Sequence, residues 1–249
     1  MWHKPQLTTA VSDLLFVAAA AALLVAAAVW GTRLPLFPLR EVVVTHELQE
    51  VKRSEVERSL SGLLRGNFFS VNLEALRLSL ERLPWVRRAE VRRQWPARIE
   101  VSIEEHQPAA RWGDGSAQLV NSFGEVFPAS LSRDVHLPLL TGPAGSSAEM
   151  LRRYVEFSQT LAPLGRPLEH LVLSPRLAWQ LKLEDGMLIE LGREQPKAPV
   201  GVRLARFVEY YPTLSDPRRA RPAAVDMRYP NGFALRLAAG AGHEARGKQ

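Results

Sequence analysis

Side chains that build hydrolytic and metal chemistry occur in this 249-residue chain without the spacing such chemistry needs. The six histidines stand at positions 3, 46, 106, 136, 170 and 243, and no i,i+4 pair offers a zinc ion two ligands on one helix face. Cysteine is absent, which excludes disulfides, thiol nucleophiles and thiolate metal sites. No G-x-S-x-G, S-x-x-K, Walker loop or dinucleotide-type glycine loop is present. A glycosidase places two carboxylates about 5–10 Å apart across a cleft. Here most Asp and Glu stand beside Arg on stretches that read as surface strands. The expectation is a protein that is not an enzyme and holds no metal and no cofactor. Its chemistry is then that of backbone and surface. An unpaired strand edge offers N–H and C=O groups to another chain, with alternate side chains supplying specificity.

What such an edge meets is set by Leu14–Trp30, LLFVAAAAALLVAAAVW, a run without a charged or strongly polar residue. An α-helix rising about 1.5 Å per residue needs about 20 apolar residues to cross about 30 Å of hydrocarbon. The run reaches that length with Val11, Ser12, Gly31 and Thr32, and Trp30 sits at one rim. No polar stripe at helical period marks it as the helix of a soluble core. Ala26-Ala27-Ala28 also reads as the A-x-A site of a cleaved signal peptide, but the run exceeds a usual signal core, which favours an uncleaved anchor. A short tail before the run and a long portion after it predict a cytoplasmic N-terminus and an exported bulk. The formal charge of +6 is spread among mixed signs with no nucleic-acid motif, so it reads as a solvated surface facing anionic lipid or cell-wall polymer.

The remaining chain predicts an α+β protein. After a proline-containing spacer, Leu39–Thr45 reads as a strand. Ser54 and Glu57 have the spacing of a capping box for a helix through Leu64, and Phe68-Phe69 read as a plug beneath it. Asn72 caps a second helix with Leu73, Leu76, Leu80 and Leu83 on one face, ended by Pro84. Ala89 and Val91, then Ile99, Val101 and Ile103, alternate with charged residues across the Trp95-Pro96-Ala97 turn, which predicts two antiparallel strands with one wet face. Arg87, Arg88, Arg92 and Arg93 form a candidate docking patch there. From Gln107 the pattern is strands at 109–112, 117–121 and 124–127 around an Asp114-Gly115 turn, then 137–143. A helix capped at Ser146–Glu149 carries Leu151, Tyr154, Val155, Ser158 and Leu161 on one side. Strands at 168–173, 179–183 and 187–191 follow, then a helix from Arg203 to Tyr211 stopped at Pro212 with a Leu204, Phe207, Val208, Tyr211 stripe. Strands at 225–229 and 233–237 flank Pro230-Asn231-Gly232. The expected divisions are a cytoplasmic tail 1–12, an anchor 13–32, a spacer 33–38, domains 39–106 and 107–238, and a disordered tail 239–249.

The strand–helix–helix–strand–strand order of the first domain is that of a POTRA module. Together with Leu83-Pro84-Trp85-Val86, Trp95-Pro96, Asn121–Phe127, Trp179-Gln180-Leu181, Arg203–Val208, and Val225–Tyr229 followed by Asn231-Gly232, the chain resembles the FtsQ/DivIB family of bacterial cell-division proteins. The resemblance implies a single-pass inner-membrane protein with a POTRA module and a second α+β domain of mostly antiparallel sheet. It implies a non-enzymatic divisome scaffold at the septum that binds FtsB and FtsL in the periplasm and bears on septal peptidoglycan synthesis. The partner-binding residues it implies for FtsB are Arg176, Arg228, Tyr229, Asn231, Phe233, Leu235 and Leu237, with a departure at Leu237, where some relatives carry tryptophan. A POTRA-bearing assembly or transport component is the alternative, and an exported cell-wall enzyme a third. The anchor reading has a direct check: the chain recovered from membranes retains its residues before Asp13, as N-terminal sequencing would show. A chain beginning near Val29 would establish signal-peptide cleavage instead.

Overall fold

The apolar run lies within one helix, α1 (Pro5–Arg33). Thr9–Gly31 is long and apolar enough to cross a membrane, and none of its most apolar window is buried inside the protein. A helix of a soluble core would be covered, so that reading is removed. The computed structural model describes residues 5–33, 38–45, 47–113, 117–131, 133, 135–214, 222–229 and 232–237. Residues 34–37 of the expected spacer, the Asp114-Gly115 turn, Pro230-Asn231 and the 239–249 tail lie outside the described residues. The chain divides into two compact units, Met1–Glu105 and His106–Gln249.

In the first unit, β1 (Glu41–Val44), α2 (Arg53–Leu60), α3 (Leu73–Leu80), β2 (Val86–Gln94) and β3 (Arg98–Glu105) follow in the expected order. The sheet order is β1-β3-β2, with β1 parallel and β2 antiparallel to β3. Ile99, Val101 and Ile103 point into a core with Val56, Leu60, Leu76 and Leu80, as their period-two spacing requires. Asn72 caps α3, its Oδ1 accepting the Ala75 N–H at 3.0 Å. The capping box of α2 does not form. The helix begins at Arg53 with Lys52 as its cap residue, so Ser54 lies inside the first turn, and Glu57 pairs instead with Arg53 at 3.2 Å. Just upstream of α2, the N–H groups of Gln49, Glu50 and Val51 donate to the Glu105 carboxylate at 2.9, 3.1 and 2.7 Å. The end of β3 therefore secures the approach to α2. Phe68 is buried as expected, while Phe69 stays partly exposed against its edge at 5.1 Å.

The second unit contains β4 (Pro108–Trp112), β5 (Leu119–Asn121), β6 (Val126–Phe127), β7 (Leu139–Thr141), α4 (Ser147–Leu161), β8 (Leu168–Leu173), β9 (Ala178–Leu183), β10 (Leu188–Arg193), α5 (Val200–Leu214), β11 (Pro222–Asp226) and β12 (Ala234–Leu237). They build one sheet in the order β12-β11-β10-β9-β8-β7-β4-β5-β6. The β10–β11, β4–β7 and β7–β8 pairs are parallel and the others antiparallel. Leu181, Ile189, Leu191 and Val225 share a core with Met150, Phe157 and Leu161 of α4 and Leu204, Phe207 and Tyr211 of α5. The α5 stripe is as expected. That of α4 is wider than expected: Leu161 is buried and Leu151 and Tyr154 pack against the core, Met150 and Phe157 are fully buried as well, and Val155 is exposed. Helix α5 also runs through Pro212 to Leu214. A proline in the last turn removes one helical donor but leaves the preceding turns intact.

The Asn121–Phe127 stretch joins β5 to β6 and braces α4. Asn121 is buried; its Oδ1 accepts the N–H groups of Phe123 and Glu125, both at 2.9 Å, and its Nδ2 donates to the Glu125 carboxylate at 2.6 Å. Gly124 has φ 83°, and a Cβ there would lie 2.5 Å from the Ala148 Cα. Its carbonyl accepts the Ser147 hydroxyl at 2.7 Å, which ties the turn to the start of α4. Gly124→Ala is therefore expected to destabilise the second unit by about 2–4 kcal/mol, from backbone strain plus overpacking. Chemical denaturation against the parent chain measures this.

Candidate functional site

Backbone groups at a sheet edge have no strand partner on one side, so edges are the first places to look for a docking surface. In the nine-stranded sheet one edge, β6, is only Val126–Phe127. The other is β12, which among the described residues has β11 on one side alone. In the first unit, the β2 edge is defended: the outward Ala89 N–H donates to the Glu81 carboxylate at 3.3 Å, and Arg88, Glu90 and Arg92 are exposed. Among the described residues, an open run ending in exposed apolar side chains lies at β12.

Register decides what β12 shows. Leu235 lies opposite Val225, which is fully buried, so Leu235 packs inward. Phe233 packs inward as well, its ring edge-on to Phe207 with centroids 5.9 Å apart. These two expected contact residues fasten the edge to the core. Their side chains are turned to the core, so at the edge itself they expose main chain. Tyr229 and Leu237, 57% and 55% exposed, are the apolar side chains available beside the edge. Asn231 lies outside the described residues.

Arg228 is held above the end of β10. Its Nη2 donates to the Asp226 carboxylate at 2.6 Å and its Nε to both Asp226 oxygens at 2.9 and 3.0 Å, with Glu190 at 3.6 Å. The bond from Arg228 holds the Asp226 carboxyl below the ordinary aspartate range, against a smaller opposing effect of burial. Beneath the arginine stem is Gly192, with φ 73°, where a Cβ would come within 2.9 Å of the Arg228 Cγ. Asp226, Arg228, Ala224, Ala234 and Arg236 line a shallow depression on this face of the sheet. Its small alanines leave room for a side chain of an added segment, between two arginines.

Arg176 is exposed in the tight turn between β8 and β9, next to Leu177 at φ 59°. Pairing of Trp179 with Gly192 and Ala178 with Arg193 places that turn at the end of the sheet where Arg228 overlies Gly192. Two arginines expected from separate parts of the sequence are thus brought to one end, with β10 between their strands. The arginines of the first unit behave differently. Arg87 pairs with Glu104 at 2.8 Å and Arg92 with Glu100 at 3.3 Å. Arg93 donates to the carbonyls of Phe68, Phe69 and Val71 at 2.8, 3.2 and 2.8 Å, so it closes a loop rather than facing a ligand. Arg88 is exposed. Among the described residues, no group of three or more His, Cys, Asp or Glu converges as a metal site would require.

The residues that sequence reasoning passed over are those behind the site. Asp226, two positions before Arg228 and so on the same strand face, was a legible partner. Gly192 was marked only by a lone glycine at a strand end. Arg203 was legible only as part of a helix; the structure buries it, 1% exposed, with its guanidinium donating to the carbonyls of Leu191, Arg193 and Met227.

Comparison with known proteins agrees across both units. Residues 110–228 match the family described as cell division protein FtsQ/DivIB, C-terminal, and residues 37–106 match the POTRA domain, FtsQ-type. The chain is 37% identical to the cell division protein FtsQ of Burkholderia pseudomallei, over 96% of this chain and 95% of that protein. It is 37% identical to the cell division protein FtsQ of Bordetella pertussis, over 96% and 93%, and 39% identical to that of Nitrosospira multiformis, over 95% and 99%.

The Arg228–Asp226 pair makes a prediction. The Asp226 carboxyl titrates below the ordinary aspartate range, and Arg228→Ala returns it towards that range, as NMR titration would show. Because the folded carboxyl binds its proton more weakly than the unfolded chain does, the pair stabilises the fold above the ordinary aspartate range. That contribution is lost as pH falls through the depressed value.

Proposed function

This chain belongs to the FtsQ/DivIB family of cell-division proteins, and from that premise we propose that it is a non-enzymatic scaffold of the division machinery that binds FtsB and FtsL outside the inner membrane. In this reading α1 is the single anchor, the N-terminus is cytoplasmic and both folded units are periplasmic, at the septum. There the complex links earlier division proteins to the control of septal peptidoglycan synthesis. The names and near-complete coverage of the relatives support a division role over a POTRA-bearing transport component.

The observation that carries the partner reading is the open edge of β12 with Tyr229, Arg228 and Leu237 beside it. An FtsB segment adding to that edge gains main-chain hydrogen bonds along β12. Tyr229 and Leu237 give it apolar surface, and Arg228 and Arg176 give it two cations at one end. Aromatic and arginine side chains of this kind dominate the energy of small interfaces. Anchoring of both partners in one membrane raises their effective concentration, so a short strand contact suffices.

Tyr229→Ala is expected to weaken binding of the FtsB ectodomain by about tenfold or more, the range of an interface hot spot. The melting temperature should stay unchanged, because the ring is exposed. Calorimetry with the purified full chain measures the first and thermal denaturation the second. Unaltered affinity in a folded variant would remove Tyr229 from the interface, and loss of stability would make it a packing residue.

A further inference from the structure

Arg203 is a buried cation with no counter-ion in contact among the described residues. It rises from the first turn of α5, and its guanidinium donates to Leu191 and Arg193 at the end of β10 and, at 3.4 Å, to the Met227 carbonyl just past β11. Its Nε is buried without a partner. Burial pushes the guanidinium pKa down, opposed only by the field of Glu194, whose carboxylate is engaged by the Val200 N–H at 3.0 Å. A buried charge in such a cage is a poor way to gain stability, since an apolar side chain of similar volume often does as well or better. What an apolar side chain cannot do is tie carbonyls of two adjacent strand ends to one rigid plane.

Those strand ends carry the docking surface. Leu191 and Arg193 flank Gly192, over which the Arg228 stem lies. Met227 is buried, its N–H donating to the Glu190 carbonyl at 2.8 Å and its C=O taken by Arg203, and the next two residues are Arg228 and Tyr229. We infer that Arg203 is the positioning residue of the docking edge: its guanidinium clasps the ends of β10 and β11 so that Arg228 and Tyr229 are presented to the partner in one orientation. The inference rests on the reading of the edge given above. Lysine does not replace the clasp, because one ammonium cannot spread donors across three carbonyls in a plane.

The test uses the full chain in detergent micelles with the FtsB ectodomain as probe, in parent, Arg203→Met and Arg203→Lys forms. Both variants are expected to keep a cooperative melting transition and to bind the probe about tenfold or more weakly. Amide hydrogen exchange should accelerate at Gly192, Arg228 and Tyr229 while β8 and β9 stay as protected as in the parent. Combined with Arg228→Ala, Arg203→Met should weaken binding by less than the sum of the two single losses, since part of its effect runs through that residue. A folded Arg203→Met with parental affinity overturns the inference. So does exchange that rises evenly across the sheet, or an additive double variant. Should neither Arg203 variant fold, Gly192→Ala leaves Arg203 in place and displaces the Arg228 stem. It must then reproduce both the affinity loss and the local exchange, and parental behaviour there overturns the clasp. If the parent chain does not bind the probe at all, the edge assignment fails. The exchange pattern then still decides whether Arg203 holds residues 192 and 227–229.

Discussion

The β11–β12 hairpin is attached to the rest of its sheet through a single parallel junction, Leu188–Glu190 against Ala224–Asp226. Parallel strands need a crossover, and here α5 provides it, packing Leu204, Phe207 and Tyr211 beneath the same strands. Backbone groups at the ends of such a junction must be paired or wet, and these are paired. The Met227 N–H continues the ladder to Glu190, and the carbonyls that would be left over find the Arg203 guanidinium. Inward-facing Leu235 and Phe233 then hold β12 to the core, which leaves the outer side of β12 as the sheet's open margin.

Much of this was readable from residue pattern. The alternation of Ile99, Val101 and Ile103, the Asn72 cap, and the α5 stripe turned on periods that tertiary packing did not override. Where the reading slipped, a competing contact explains it. Ser54 and Glu57 have capping-box spacing, yet the helix starts two residues early and Glu57 turns to Arg53. The α4 face was read with Val155, which is exposed, and without Met150 and Phe157, which lie deepest in the core. Pro212 looks like a stop, and near a helix end it costs a single bond.

At the candidate site the visible part was the surface part. Exposed aromatics and arginines can be named from a sequence because their types are unusual where they stand. Which of them face solvent depends on register and packing: Leu235 lies opposite buried Val225, Phe233 packs on Phe207, and Tyr229 is left exposed. The same holds for Arg93, whose neighbours Arg88 and Arg92 are exposed while it binds three loop carbonyls. Charge counts could not have told these arginines apart, nor shown that Arg203 is spent on backbone carbonyls rather than on solvent.

The crossover through α5 has a consequence for how the protein comes into being. β12 is the last strand in chain order, and its hairpin has a place to dock only when β10, reached earlier, has been joined by α5. A chain made from its N-terminus therefore has every other described strand synthesised before β12. The β12 margin cannot exist on a half-made molecule that lacks it. In the proposed reading, partner capture at that margin would double as a check that the whole of the second unit has folded.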